Sequence, residues 1–140
     1  MTTVGPGATN TVTGLADALM DSSAMVVICG GIPSFYSGTG SFQEMDAHYD
    51  DEQFEIFKPV TKRVWKVASP GLLPHVISNA FNHALTGNPG LVLVHVPLDF
   101  LSKRMEYDVR DITSHRITGT GVDGDPGEIY RALSTVLDAD

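Results

Sequence analysis

Cysteines, basic residues and long apolar runs are all scarce in this 140-residue chain. Cys29 is the only cysteine, so no disulfide can form within the chain. Its place in an apolar run predicts a small buried side chain rather than a nucleophile. The chain has 9 Lys and Arg against 17 Asp and Glu, a formal net charge of -8. This balance argues against a surface for phosphate backbones, so we expect no nucleic-acid partner.

No stretch approaches the roughly eighteen apolar residues of a membrane-spanning helix, and no signal-peptide pattern opens the chain. We therefore expect no membrane partner and a cytoplasmic location. The 5 histidines show no spacing that would place two of them on one helix face, so we predict no metal site among them. Spacing alone also indicates no Ser-His-Asp or Cys-His arrangement.

What the chain does contain is alternating helix and strand patterns. Apolar residues at i, i+3, i+4 and i+7 predict an amphipathic helix over residues 10–21. Continuous apolar runs at residues 24–29 and 91–97 are typical of strands buried on both faces. Residues 63–67 alternate as a short strand does, and helical spacing returns between residues 70 and 86.

Local signals mark the boundaries of these elements. Ser69-Pro70 predicts a helix start with a hydroxyl cap, and Gly87 predicts the stop. Residues 32–40 are rich in Gly, Ser and Pro and predict a loop, and short helical turns are expected within residues 41–57. Apolar strands that each follow a helix imply an α/β fold, a parallel sheet with helices on both faces.

The pattern changes after residue 100. Residues 101–124 are charged and then rich in Thr, Gly and Asp, which is typical of an interdomain linker. Helical spacing resumes near residue 125 and continues to residue 137. We therefore predict one partial domain over residues 1–100, a linker over residues 101–124, and the first helix of a truncated second domain over residues 125–140.

Several motifs occur in one order along the chain, and together they resemble the acetolactate-synthase-like group of thiamine-diphosphate-dependent enzymes. They are Gly5-Pro6-Gly7-Ala8-Thr9-Asn10, Thr13-Gly14-Leu15-Ala16-Asp17-Ala18, Phe42-Gln43-Glu44, Pro59-Val60-Thr61-Lys62 and Gly87-Asn88-Pro89-Gly90-Leu91-Val92-Leu93-Val94. The resemblance covers roughly residues 3–100, and it identifies residues 1–100 with the second half of the N-terminal, pyrimidine-binding domain. Residues 125–140 would begin the central domain.

The resemblance implies thiamine diphosphate as cofactor, which supplies carbanion chemistry while the protein orients the reactants. The family's cofactor-activating glutamate lies upstream of the glycine-proline-glycine turn, and no position of this chain matches it. The family holds Mg²⁺ and the diphosphate through another domain. Gly124-Asp125, the one Gly-Asp pair here, lacks the Asn that completes the family's metal motif. A structural flavin, FAD, stays open.

The resemblance also assigns site residues. Gly5, Pro6, Gly7 and Asn10 would bind the cofactor, because glycines let backbone approach a flat ring. No apolar strand precedes this turn in the sequence. Asn10, like its neighbour Thr9, either bonds the pyrimidine or only caps the following helix.

Phe42 and Gln43 resemble the family's aromatic-glutamine pair in the substrate channel. Gln43 is the candidate catalytic residue, since its amide can donate to a developing enolate-type oxygen. The alternative is a surface glutamine beside a core anchor at Phe42.

Leu98 departs from the family, which has a lysine near the substrate or flavin region at this point. A cationic partner for a 2-oxo-acid carboxylate is thereby lost, so acetolactate synthesis and branched-chain amino-acid biosynthesis are left open. We predict a fragment of a transferase or lyase, a carboligase or decarboxylase acting on 2-oxo acids. The intact protein would be a homo-oligomer, and this chain alone would be inactive.

Two other functions stay open at this point. One is a non-catalytic α/β module that binds a nucleotide, although Asn10 stands where the third glycine of the dinucleotide fingerprint belongs. The other is a regulatory module that docks to a full-length paralogue.

Overall fold

The computed structural model describes residues 1–39, 43–44, 53–106 and 125–137 of the chain. Three strands, β1 (Met25–Gly31), β2 (Arg63–Lys66) and β3 (Leu91–Pro97), form a parallel sheet in the order β1-β3-β2. Each of the three coincides with an apolar or alternating run of the sequence. The predicted α/β class and the parallel sheet are confirmed.

Helices connect and flank the strands. The α-helices are α1 (Pro6–Thr9), α2 (Val12–Met20), α3 (Leu73–Leu85), α4 (Leu98–Leu101) and α5 (Pro126–Leu137), and 3-10 helices span Ser34–Tyr36, Gln53–Val60 and Pro70–Leu72. The loop predicted over residues 32–40 thus contains a short 3-10 turn. The helical turns expected within residues 41–57 are confirmed from Gln53 onward and extend to Val60.

The core lies on both faces of β3, all of whose residues are buried. On one face, Leu91 and Leu93 pack with Leu15 of α2 and Phe57 of the Gln53–Val60 helix. On the other face, the core consists of valines of β3 together with alanines and branched side chains of α3: Val92, Val94, Val96, Val76, Ile77, Ala80 and Ala84. The continuous apolar run of β3 is therefore explained by burial on two sides.

The single helix predicted over residues 10–21 is wrong in its N-terminal part. The N–H of Thr11 donates to the carbonyl of Ala8 at 3.0 Å, and the Thr11 hydroxyl donates to the same oxygen at 2.6 Å. Local hydrogen bonds of this kind compete with a continuous helix, so α1 and α2 are separate. Asn10 caps the C-terminal end of α1, and neither Thr9 nor Asn10 caps α2.

The predicted Ser69 hydroxyl cap is also wrong, because no side-chain cap forms there. The carbonyl of Pro70 instead accepts the N–H of Leu73, three residues on. Pro74 has no N–H with which to make the α-helical bond to that carbonyl. The chain therefore forms a 3-10 turn over Pro70–Leu72 before α3 begins at Leu73.

Two parts of the predicted domain division stay predictions. Residues 107–124, most of the proposed linker, lie outside the described residues. The helix expected after residue 125 is present as α5, and all of its residues are exposed. Within the described ranges, no helix has both the length and the apolar character to cross a bilayer.

Candidate functional site

The predicted site around Gly5 lies at the carboxyl edge of the parallel sheet. Thr2 extends the sheet beside β1, since its N–H donates to the carbonyl of Ile28 at 2.9 Å and its own carbonyl accepts from Gly30 at 3.1 Å. The chain runs parallel to β1 there and then continues to Gly5. Ligands of open α/β sheets bind at this edge.

Gly5 is buried and opens α1 with φ 65 and ψ -128, a conformation that residues with a side chain rarely adopt. A β-carbon on Gly5 would overlap the backbone carbonyl oxygen of Gln43. The close approach that this glycine permits is therefore used by the segment that carries Gln43. Two of the predicted site residues are brought into contact.

The other predicted cofactor residues lie along α1. Pro6 is exposed at the first helical position of α1. Its missing N–H costs no hydrogen bond there, because the N–H of a first helical residue has no partner within the helix. Gly7 makes room for Thr3, because a β-carbon on Gly7 would overlap the Thr3 methyl group. Asn10 is exposed at the opposite end of α1 from Gly5, so the helix separates these two candidates.

Gln53 contacts the turn and was missed by the sequence analysis. Its side chain is only 4% exposed, and its Nε2 donates to the carbonyl of Gly5 at 2.9 Å. The same carbonyl accepts the N–H groups of Ala8 and Thr9. No local pattern marks Gln53, because its partner is 48 residues away in the chain.

Gln43, the predicted catalytic residue, is exposed and has a positive φ of 62. Its side-chain amide carries both a donor and an acceptor, as the prediction requires. Phe42 lies outside the described residues, so the aromatic-glutamine pair stays a prediction.

Glu44 follows Gln43 and forms a largely buried pair with His95 of β3. The Oε1 atom of Glu44 lies 3.1 Å from His95 Nε2 and also accepts the backbone N–H of Ile32 at 3.1 Å. His95 is 4% exposed. From the sequence, this histidine was not expected to bind a metal, and no partner was predicted for it. A histidine within a fully apolar strand was the available signal, since a buried polar group needs a partner.

The surroundings of His95 are tightly packed. A β-carbon on Gly31 would overlap the imidazole, and the ring centroid of Phe54 lies 5.7 Å from that of His95. His95 Nδ1 is buried without a hydrogen-bond partner. Burial raises the pKa of the Cys29 thiol. A hydrogen bond with Thr2 acts to lower that pKa, and the nearby Glu44 carboxylate acts to raise it further. The prediction that Cys29 is a buried small side chain is confirmed.

A second polar link joins the ends of β1 and β3. The Ser34 N–H and hydroxyl donate to the two carboxylate oxygens of Asp99 at 2.8 and 2.7 Å. Desolvation acts to raise the pKa of Asp99, but these hydrogen bonds outweigh it and hold that pKa below its usual value. The neighbouring Leu98, which stands at the family's lysine position, is 56% exposed.

Lys62, in the motif that ends the Gln53–Val60 helix, has a structural contact. Its Nζ donates to the carbonyls of His83, Thr86 and Asn88 at 2.7, 2.6 and 2.8 Å. These oxygens lie at and just beyond the C-terminal end of α3, where a cation also interacts well with the helix dipole. Lys62 therefore stabilises the end of α3, at the opposite edge of the sheet from Gly5.

The described residues contain no group of three or more His, Cys, Asp or Glu side chains arranged to hold a metal ion. The close polar groups at the carboxyl edge are instead paired with one another, Glu44 with His95 and Asp99 with Ser34. The exposed amide of Gln43 offers a hydrogen-bond donor and an acceptor beside them.

Comparison with known proteins identifies the family. Residues 1–50 match the thiamine pyrophosphate enzyme family, N-terminal TPP binding domain. An acetolactate synthase of Arthrospira platensis is 37% identical over 99% of this chain and 23% of its own length. The acetolactate synthase isozyme 3 large subunit of Escherichia coli K12 is 36% identical over 99% of this chain and 24% of its own length. The chain resembles a fragment of the acetolactate-synthase-like, thiamine-diphosphate-dependent enzymes.

The predicted resemblance to this family is therefore confirmed. The acetolactate synthase large subunit of Parasynechococcus marenigrum is 44% identical over 75% of this chain and 16% of its own length. The chain thus spans less than a quarter of the length of the relatives named here. The segment matched to the TPP binding domain contains both Gly5 and Gln43.

Proposed function

We propose that this chain forms part of the pyrimidine side of a thiamine diphosphate site in a carboligase or decarboxylase that acts on 2-oxo acids. The observation that carries the proposal is the contact between Gly5 and Gln43 at the carboxyl edge of the sheet. Both residues lie in the segment that matches the TPP binding domain. The three relatives named above are acetolactate synthases and do not favour the nucleotide-binding alternative.

The residues present fit one side of such a cofactor. The spaces beside Gly5 and Gly7 are taken by the Gln43 carbonyl and the Thr3 methyl group, so in this proposal a flat ring lies against the exposed residues of this edge, Pro6 and Gln43. Exposed Gln43 presents an amide at the same place. Thiamine diphosphate supplies the carbanion chemistry that breaks and forms bonds next to a carbonyl group. In this proposal Gln43 binds and orients the substrate oxygen, and Asn10 contacts the cofactor from the far end of α1.

The remaining groups of the site are assigned to other parts of the whole protein. Another domain would bind Mg²⁺, and a flavin where the whole protein carries one. We propose that a second subunit completes the site, so the whole protein would be a homo-oligomer. We also propose a cytoplasmic location. Leu98 supplies no cation for a substrate carboxylate, so we propose a 2-oxo-acid reaction related to acetolactate synthesis, with that carboxylate bound by another group.

A binding experiment tests the cofactor assignment. Thiamine diphosphate with Mg²⁺, added to the isotope-labelled 140-residue chain, is expected to shift the NMR signals of Gly5, Gly7 and Gln43. The signals of Gly87 and Gly90, at the opposite edge of the sheet, serve as the internal control and should not move. NAD is the comparison ligand, because shifts produced by NAD alone would favour a nucleotide-binding module and contradict the proposal.

We expect the chain by itself to show no turnover of pyruvate in the presence of thiamine diphosphate and Mg²⁺. The reason is that neither the family's cofactor-activating glutamate nor its complete metal motif is matched at any position of this sequence. The measurement is release of CO₂ and formation of ligated product over hours. Catalytic turnover by the purified chain would contradict this expectation.

A further inference from the structure

We infer that Glu44 and His95 act together as positioning residues that hold Gln43 against the Gly5 turn. The inference rests on the proposed function, because it concerns the orientation of the residue assigned there to substrate binding. The pair lies at the edge where the ends of β1 and β3 meet.

One carboxylate makes both connections. Glu44 Oε1 lies 3.1 Å from His95 Nε2 in β3 and 3.1 Å from the backbone nitrogen of Ile32, directly after β1. The preceding residue, Gln43, has its carbonyl oxygen against Gly5. The segment is therefore fixed at two adjacent residues, and fixing Glu44 limits where the side chain of Gln43 can go.

The imidazole can serve this purpose because its place is fixed from several sides. Nε2 of His95 makes the hydrogen bond with Glu44 Oε1, and Nδ1 is the buried nitrogen without a partner. Gly31 leaves the space that the ring occupies, and Phe54 lies beside it. A ring held in this way presents Nε2 to Glu44 in one orientation.

The side chain at position 95 decides how this point of β3 interacts with Glu44. A carboxylate in place of His95 would face Glu44 at hydrogen-bond distance, where two like charges cannot both ionise readily. The other titratable groups in this row of the sheet are Cys29 of β1 and Lys66 of β2, which are in register with His95.

The test compares three variants of the full chain by NMR and amide hydrogen exchange. His95→Asp places a carboxylate opposite Glu44, Glu44→Gln keeps the shape and the acceptor, and the double variant pairs an amide with a carboxylate. The first readout is the hydrogen-exchange protection factor of the Ile32 amide, because a protection factor is corrected for the intrinsic pH dependence of exchange. The second is the NMR signal of the Gln43 amide. Leu93, in the centre of β3, is the control for global folding.

We expect His95→Asp to lower the Ile32 protection factor at least about tenfold at pH 8 and to recover most of it at pH 5, where the two carboxyl groups can share a proton. The Gln43 signal should shift over the same pH range. Glu44→Gln and the double variant should stay near the parent chain at both pH values, since each retains a donor and an acceptor. A response of Ile32 and Gln43 with Leu93 unchanged distinguishes positioning of this segment from a general loss of structure.

The inference is overturned if Ile32 and Gln43 do not respond to His95→Asp at pH 8 while Leu93 remains protected. It is overturned as well if the double variant is no closer to the parent than His95→Asp. Titration with thiamine diphosphate and Mg²⁺ separates this result from the proposed function. If the Gln43 signal of His95→Asp depends on pH but the cofactor shifts no signal, the positioning role is supported and the cofactor assignment is contradicted. If the cofactor binds but the Gln43 signal does not respond to pH in His95→Asp, the cofactor assignment is supported and the positioning role is contradicted.

Discussion

Gly5→Ala is expected to lower the free energy of unfolding by about 1–3 kcal/mol through its backbone conformation alone. Gly5 has φ 65 and ψ -128, which an alanine adopts only with strain. The added β-carbon would also overlap the carbonyl oxygen of Gln43, so Gln43 or α1 must move. Urea denaturation measures the loss, and fluorescence of Trp65, the single tryptophan, reports on the sheet.

Gly14→Ala is the matched control for this substitution. Gly14 lies in α2, and a β-carbon there meets no atom within 4 Å. Alanine is the better helix former, so this variant should gain up to about 1 kcal/mol. Changes of opposite sign in the unfolding free energies of the two variants would establish that the loss in Gly5→Ala comes from the conformation and contacts of Gly5, not from the removal of a glycine as such. Equal changes would contradict the role assigned to the turn.

Phe57→Ala is expected to cost about 3–5 kcal/mol, a large part of the stability of an ordinary domain. Phe57 is 1% exposed and packs in the core against Leu15 and Leu93. Its loss leaves a cavity on one face of the sheet. The same 3-10 helix carries Gln53, which holds the Gly5 carbonyl, so we also expect the variant to weaken any cofactor-induced NMR shifts at Gly5.

Phe81→Ala removes the same side chain from an exposed position and serves as the control. Phe81 is 52% exposed on α3, and alanine favours the helix, so the change should stay within about 1 kcal/mol. The two variants are compared by their urea unfolding midpoints, provided that the dependence of the unfolding free energy on urea concentration is the same for both. Similar losses for both would show that Phe57 is not the core residue that the fold assigns.

The elements that the sequence predicted well are those whose signal is local. The apolar runs that became β1 and β3 need no knowledge of their neighbours, because burial on both faces requires apolar residues at every position. Boundaries were predicted less well. The helix expected over residues 10–21 divides between α1 and α2, and Pro74 delays the start of α3, because single hydrogen bonds decide where a helix begins.

The candidate site was predicted only in part, for a related reason. The family motifs supplied Gly5 and Gln43, and the structure brings these two together. The motifs gave no role to His95, and its pairing with Glu44 was not predicted. Gln53 was missed altogether, since nothing near it in the sequence indicates that a buried amide is needed there.

The sequence by itself determined which segments are buried, the α/β class and the family, because periodicity and short motifs are properties of neighbouring residues. Only the tertiary structure decided which polar groups meet. Glu44 and His95 are 51 residues apart and Gln53 and Gly5 are 48 apart. Such pairs form because the strand order β1-β3-β2 and the path of the connecting segments bring them to one edge of the sheet. A buried polar group must then find its partner there.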